Sequence, residues 1–416
     1  MRRQHVVLLD RSGYDAYRHP DGRPYLDPEQ YDVTLVTLPE KADGPRPGEV
    51  ARVITVNVLD PVEIMDALPE LKAGPPVDRV VAAGERLLVP AARFREALGV
   101  PGYREEQIEL FRDKTLMKSH FAAQGIRTPR FTEIERPLDA AGLLAEYGTV
   151  ILKPVDAMGS VGVHKVTSRD QLAELEESGF GHQGRYEAEE FIDGVMYHID
   201  SVVQDGRAVV AVASRYLDPN SVFPTGGQLR SAALNPGRER DVLLEFNSRV
   251  LAAVPWFSGV THHEVFLDRS GTPVFCEIAG RPGGGGIVPL FKDRFGINLY
   301  LATLLPQLGL PIPEIQEIQP PERRFGGWSI IFPPELGPLR PHHPLPQEDW
   351  LLDLTLYRRP GDVLEAARSV GNGVAAVAVV GPDAATVTER LDRVKAAFTF
   401  DQAPSATTPT HEGETR

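Results

Sequence analysis

A small parallel α/β domain followed by a larger α+β region is what this sequence predicts, and three observations predict it. The first hundred residues alternate short apolar runs with helical patterns, and the runs are continuous, as in parallel strands buried on both faces. From about residue 105 the apolar runs follow one another through turns, the mark of antiparallel sheet. A length of 416 residues leaves room for about two to four such units. The expected divisions are an N-terminal α/β domain over 1–105, a central subdomain over 106–188 and a C-terminal α+β region over 189–400 with an α/β extension. The tail 401–416, "DQAPSATTPTHEGETR", has the polar composition of a disordered segment.

The elements follow in order. "HVVLLD" (5–10), "DVTLVTL" (32–38), "RVITVNV" (52–58) and "RVVAAG" (79–84) read as strands, with helices in "DPVEIMDALPEL" and "PAARFREALG". "FRDKTLMKSHFAAQGIRTPRF" is a helix with Asp113 as N-cap, Gly125 as its stop and Pro129 beyond. "TVILKPV", "VGVHKV", "RYEAEEFI", "YHIDSVVQ" and "AVVAVASRYL" are strands. A helix over 239–254 precedes a strand pair over 261–277, and the proline-rich 333–349 reads as a linker or surface-wrapping loop. A last segment, "VAAVAVVGPDAATVTERLDRVKAAF", is expected to be βαβ-like.

A formal net charge of -14 argues against partners that need a basic face, nucleic acid and anionic membranes alike. No apolar run approaches the roughly 18 residues of a membrane span, and "VVLL" near the start is too short for a signal peptide, so a cytoplasmic location is expected. The single cysteine, Cys276, excludes an internal disulfide and a cysteine-based zinc site.

The chemistry begins in "HEVFLDRSGTPVFCE". A hairpin turning at Ser270-Gly271 through an even-length loop sets Glu264 directly opposite Glu277, with Val265, Leu267, Val274 and Cys276 on the other, apolar face. Like charges facing each other destabilise a sheet, and a divalent cation such as Mg²⁺ between them removes the conflict. Read alone, the pair fits equally well two solvated glutamates, and an odd loop or a bulge breaks the register. Lys114 stands at the positive end of its helix, where it makes sense if an anion comes there too; otherwise it is a solvated lysine. Lys153 ends an apolar strand and is followed by "DAMGSVGV", whose Gly159 and Gly162 can turn backbone amides onto a phosphate, with Ser160 adding a hydroxyl. The alternative is an ordinary glycine hairpin. Neither a Walker loop nor a dinucleotide G-x-G-x-x-G is present.

In sequence, "RDKTLMK", "LKPVDAMGSVGV", "EAEEFIDG", "HHEVF" and "FCEIAGRPGG" resemble the ATP-grasp superfamily, and within it the carboxylate–amine ligases that include the bacterial L-amino-acid ligases. The resemblance covers roughly residues 80–305. It implies an ATP-grasp fold, with an N-terminal α/β domain, a central lid subdomain and a C-terminal α+β domain. It implies ATP held by Lys114, Lys153, the 157–163 loop, and a hinge strand Glu189-Glu190-Phe191-Ile192 gripping adenine through its backbone at 190 and 192. Glu264 and Glu277 would hold Mg²⁺, for which Mn²⁺ can substitute, and Arg281 and Lys153 would act on the transferring phosphoryl group. Two positions depart from the pattern: Ala279 stands where many members carry a metal-binding Asn, and Val195 and Met196 where many carry a ribose-binding acid, which shifts ribose contact to His198 or Asp200.

The implied reaction joins a small-molecule carboxylate to an amine through an acyl phosphate, releasing ADP and phosphate. For substrate, Arg215, Arg230, Ser231 and Gly284 are candidates, Arg230 as a carboxylate clamp or else a surface arginine. Glu85, at the carboxyl edge of the fourth strand, is placed for a substrate or a structural role. Of His262 and His263, alternation sends one to the core and one to the face of Glu264, and a packed histidine is the plainer reading. Competing readings are a purine-pathway or biotin-carboxylase-like enzyme and a nucleotide-binding regulatory module without catalysis. A homodimer is common in the superfamily.

Overall fold

The computed structural model describes residues 2–159, 161–180, 184–219, 227–332, 337–339, 347–364 and 372–397. Ser160, the tail 401–416 and most of the proline-rich 333–349 lie outside the described residues.

Strands β1 (Gln4–Leu9), β2 (Tyr31–Thr37), β3 (Arg52–Thr55) and β4 (Arg79–Ala82) form a parallel sheet in the order β3-β2-β1-β4. The continuous apolar runs have the expected cause. Val7 and Leu9 pack with Phe94 on one face, the side of helices α1 (Ala67–Ala73) and α2 (Leu88–Leu98), while Val6 and Leu8 pack with Tyr14 and Leu304 on the other. The order reverses between β1 and β4, so their carboxyl ends frame the crevice where open α/β sheets take ligands.

Helices α3 (Glu105–Glu109) and α4 (Lys114–Ala123) lead onward. Asp113 caps α4 by accepting from the N–H groups of Thr115 and Leu116 at 2.9 and 3.0 Å, satisfying two orphan donors. A second, antiparallel sheet, β5-β8-β6-β7, is built from β5 (Phe131–Ile134), β6 (Val150–Pro154), β7 (His164–Val166) and β8 (Tyr186–Glu190). Helices α5 (Ala141–Tyr147) and α6 (Arg169–Glu177) belong to the same unit, which Leu144, Leu152 and Leu172 core.

The third sheet has eight strands, β13-β12-β9-β10-β11-β14-β18-β16, and its neighbours all run antiparallel. In chain order this part of the chain holds β9 (Gly194–Gln204), β10 (Arg207–Tyr216), β11 (Gln228–Ala233), α7 (Arg238–Ala252), β12 (Gly259–Asp268), β13 (Pro273–Ala279), α8 (Ile287–Phe295), α9 (Leu299–Gln307), β14 (Phe325–Ile331), β15 (Gly337–Pro338), β16 (Leu351–Leu356), β17 (Val363–Leu364), β18 (Ala375–Gly381) and α10 (Ala384–Ala397), of which β15 and β17 pair only with each other. Residues from α4 and α7 cover one face, and α8 and α9 cover the other. Helix α9 also reaches the first sheet, where Leu304 and Leu308 enter its core. The final segment is not βαβ: β18 is a single strand, antiparallel to both β14 and β16, followed by one helix. No helix among the described residues is long and apolar enough to cross a membrane.

The hairpin that carries the paired glutamates reaches the expected register by another route. Near the turn Leu267 pairs with Pro273 and Val265 with Phe275, which means an odd loop; Gly271 sits at φ +80 and donates to the Asp268 carbonyl at 2.8 Å. Cys276 is then an extra residue, a bulge between Phe275 and Glu277, and it restores Glu264 opposite Glu277. The residues facing Val265 and Leu267 are therefore Phe275 and Pro273, not Cys276 and Val274, because the odd loop shifts that half of β13 by one.

Candidate active site

Parts of the chain far apart in sequence meet at the end of the β12–β13 hairpin. Glu264 is buried at 9% exposure and its Oε1 accepts from the Tyr216 hydroxyl at 2.7 Å. Opposite it, the Glu277 side chain keeps 31% of its surface open, with Oε2 3.4 Å from Lys114 Nζ. Lys114 is itself buried and donates to the Ala157 carbonyl at 2.5 Å, so the start of α4 is tied to the loop after β6. Arg281, just beyond β13, donates from Nε to Glu85 at 2.5 Å, and Arg112 holds the other oxygen of Glu85 while donating to the Asp156 carbonyl at 2.7 Å. Burial opposes the charge on Glu85, but Arg281 and Arg112, with Lys114 beyond them, outweigh it and pull its pKa down to about 2. Two carboxylates directly opposed on paired strands, one with an open face, form an oxygen donor set that suits a hard divalent cation.

A second group lies between β6, β8 and α4. Lys118 Nζ donates to Glu187 Oε1 at 2.6 Å and to Glu189 Oε2 at 2.5 Å, and Lys153 Nζ donates to Glu189 Oε1 at 2.5 Å. All four are buried. Burial alone raises a carboxylate, yet the two lysines reverse this at Glu189 and hold it down to about 2. At Glu187 burial prevails over the lysines, and the neighbouring Glu189 adds to it, so that carboxyl is raised. The loop after Lys153 needs its glycines. Gly159 and Gly162 sit at φ +66 and +69, and a Cβ on Gly162 would stand 3.0 Å from Pro154 Cγ. Residues 191–193 link the second sheet to the third, and among the described residues nothing accepts the N–H of Ile192.

A third group extends from Glu264 across the sheet. Asp200 accepts from His198 Nδ1 at 2.7 Å and from His262 Nδ1 at 2.8 Å, and His198 Nε2 is 2.6 Å from Ser231 Oγ. His262 Nε2 faces Glu264 at 3.7 Å. Burial opposes charge on both partners, but Asp200 and Glu264 hold a proton on His262 up to about 10, and the histidines hold Asp200 far below the carboxylate range. His198, Asp200, Ser231 and Trp328 line a pocket beneath α8 of about 450 Å³, its open mouth included. Gly283 and Gly285 let the loop before α8 lie against this floor: a Cβ on Gly283 would meet His262 Nδ1 at 2.7 Å, and one on Gly285 the Trp328 ring at 2.6 Å.

Residues 31–102 match the family model of the ATP-grasp N-terminal domain. The L-amino acid ligase of Bacillus licheniformis, a solved structure, superposes with a TM-score of 0.73 at 20% identity, covering 97% of this chain and all of that one. The chain has the ATP-grasp fold. In sequence it is 24% identical over 313 residues to the L-arginine-specific L-amino acid ligase of Bacillus subtilis, covering 72% of this chain and 74% of that ligase. It is 30% identical over 218 residues to the D-alanine–D-alanine ligase of Cupriavidus metallidurans, covering 49% of this chain and 65% of that ligase.

Within the ATP-grasp frame, the structure brings Lys114, Glu264, Glu277, Arg281 and Glu85 to one place, and Lys153 and Glu189 to the neighbouring one. Glu190 precedes the link and pairs with Arg127, while Lys165 lies over the Phe191 ring at 3.7 Å. Ser231 joins the histidine group, and Gly284 has open space around it on the loop before α8. Three expected residues are not brought where the sequence put them. His198 has both ring nitrogens engaged, by Asp200 and Ser231, and none left for a ribose. Arg230 is turned away from Ser231 by strand alternation and spends its guanidinium on Asp218 and Asp392. Arg215 is exposed and shares its strand face with Tyr197 and the α7 side, not with Tyr216. The sequence reading passed over Lys118, Glu187, Arg112 and Tyr216. Helical spacing from Lys114 to Lys118 and strand alternation from Glu187 to Glu189 were the signals available for the first two.

Proposed function

We propose that this protein is an ATP-dependent, ADP-forming ligase that joins the carboxylate of one amino-acid-like molecule to the amine of another. The observation that carries the reading is the convergence of Lys114, the open Glu277, Glu264 and the Glu85-anchored Arg281. Cations for phosphate oxygens and carboxylates for a metal stand side by side there, which is the equipment of phosphoryl transfer to a carboxylate. Similarity to two kinds of amino-acid ligase supports amino-acid-like substrates.

ATP lies between the second and third sheets in this reading. The free N–H of Ile192 and the backbone of Glu190 hold adenine, Lys153 and Lys114 meet phosphate oxygens, and the 157–163 loop covers them. Glu264 and Glu277 would hold Mg²⁺, which would supply positive charge against the negative charge of the phosphates. Lys153 must exchange part of its contact with Glu189 for phosphate, and Lys118 keeps Glu189 neutralised while it does so. Arg281, fixed by Glu85, presents its charge where the γ-phosphate passes to the substrate carboxylate. The amine then displaces phosphate from the acyl phosphate, and closure of the loop keeps out water that would hydrolyse it. The pocket under α8 is lined by His198 and Asp200, which connect to Glu264 through His262.

The test is phosphate release from ATP and Mg²⁺, scanned against amino acids singly and in pairs, with nucleotide and amide products separated. ADP, phosphate and a new amide mass with particular pairs are expected. AMP and pyrophosphate would overturn the acyl-phosphate mechanism, and ATP binding without turnover on any pair would favour the regulatory reading.

A further inference from the structure

Arg11 has no side-chain partner among the described residues, unlike Arg281 and Arg112 across the same crevice. It follows β1 at the crevice where the strand order reverses, and its side chain lies across the turn after β4, with Nε 3.8 Å from where a Cβ on Gly84 would stand. The next residue is Glu85, whose carboxylate takes both Arg281 and Arg112. Those two guanidiniums share that one carboxylate, which fixes both in place. Arg11 makes no hydrogen bond or ion pair with the described residues and is exposed.

Its backbone, by contrast, is fixed. Asp10 is fully buried and accepts from the N–H groups of Ser12 and Gly13 at 2.9 and 2.8 Å and from the Tyr17 hydroxyl at 3.2 Å. Gly13 takes φ +107, a turn that suits glycine alone. Tyr300 of α9 stands beside this loop with its ring 6.1 Å from that of Tyr17, and its hydroxyl is likewise without a hydrogen bond to the described residues. Arg11, Arg281 and Asp10 all lie within electrostatic reach of that hydroxyl. The loop held by Asp10 thus presents a guanidinium, unpartnered among the described residues, beside the turn that leads to Glu85 and within electrostatic reach of the Tyr300 phenol.

We propose that Arg11, with the Tyr300 hydroxyl, clamps the free carboxylate of the amine substrate, so that the acceptor is an amine bearing a carboxylate, an amino acid or short peptide. This rests on the ligase reading. In that reaction the acyl donor's carboxylate is consumed at the phosphate, so a carboxylate that persists through turnover belongs to the acceptor. A guanidinium fork takes it by two parallel hydrogen bonds. The clamp the sequence placed at Arg230 stands at Arg11 instead, because Asp218 and Asp392 already occupy the former.

The experiment compares each accepted amine with its carboxamide in the wild-type protein, Arg11→Gln and Arg11→Lys, reading KM and kcat for amide formation. Thermal melts check that the variants fold. The wild-type protein should prefer the free carboxylate. Arg11→Gln should raise the acceptor KM about 10–100-fold while leaving the carboxamide's KM unchanged, and Arg11→Lys should fall between. Equal use of acid and carboxamide by the wild-type protein, or an equal loss on both in Arg11→Gln, would overturn the clamp. Failure of the ligase reading is separate: it is the absence of amide product from every pair in the wild-type protein. Calorimetric titration of amino acid and carboxamide into the wild-type protein and Arg11→Gln then decides the clamp, which is overturned if binding of the acid does not depend on Arg11.

Discussion

Two charged groups lie within one α-helical span of each other and are built on opposite plans. Around Lys118 the chain closes its own account: two lysines and two glutamates are buried together, and Lys118 has no exposed side-chain surface at all. Around Glu277 the charges come from the ends of β4, α4 and β13, and the central carboxylate stays 31% open. The buried group spends its charge on its own members and leaves Lys153 alone to turn towards a ligand, whereas the group at the open face is unbalanced throughout and awaits one. The same lesson sorts the arginines, since Arg230 is saturated and Arg11 is not.

The contrast is broken most severely at Lys118. Lys118→Met leaves Glu187 and Glu189 with Lys153 alone, and removal of one partner from a buried ion group costs about 3–5 kcal/mol. Urea unfolding should show that loss, and adding Glu187→Leu should recover part of it; a midpoint equal to that of the wild-type protein would mean the quartet is not a stabilising unit. At the open group the effect moves from stability to rate. Glu277→Gln should lower ADP formation by about 10²–10³-fold or more while leaving the melting curve nearly unchanged, because the side chain is about one-third open and not part of the core. Near-normal turnover in Glu277→Gln would remove the metal role of this residue.

How far the sequence foretold these groups depends on how local their causes are. The strands the sequence named and the cap at Asp113 follow from nearest-neighbour patterning and stand close to where the sequence put them, whereas β5, β11, β14 and β16 were not named. Helices α8 and α9 were not foreseen, because α8 follows a glycine run and α9 carries Pro306, and both depend on the sheet faces they cover. The opposition of Glu264 and Glu277 was legible even though its path was not: an odd loop and a bulge at Cys276 cancel, and neither is written in residue spacing. Arg230 misled for the opposite reason. Residue type favoured a clamp, but its partners, Asp218 and Asp392, are 12 and 162 residues away.

Glu85 bridges the two plans, being mostly buried yet joined to the transfer end, and acid sharpens its role. Its folded pKa of about 2 lies below the ordinary carboxylate value of 4.5, so its contribution to stability is complete above 4.5 and is lost as the pH falls towards 2. The shift corresponds to ~3 kcal/mol at neutral pH. The stability gap between the wild-type protein and Glu85→Gln, measured by denaturant unfolding, should therefore be widest near neutrality and close between pH 4.5 and 2. A gap that does not change over that range would show that Arg281 and Arg112 do not depend on the charge of Glu85.

Arg230 gives the smallest effect and the cleanest separation of the two plans. Its guanidinium ties β11 to Asp218 and to Asp392 of α10, and its side chain is 15% exposed. Asp218 takes it by two parallel bonds, Nε and Nη2 each at 2.8 Å, while Asp392 is 58% exposed and screened by solvent. Arg230→Gln should thus cost about 1 kcal/mol, most of it from the Asp218 fork. Because Arg230 faces α10 while Ser231, next to it, faces His198, the acceptor KM should stay as it is in the wild-type protein. A rise in KM in Arg230→Gln with no loss of stability would reverse the assignment, returning the carboxylate clamp to β11 and taking it from Arg11.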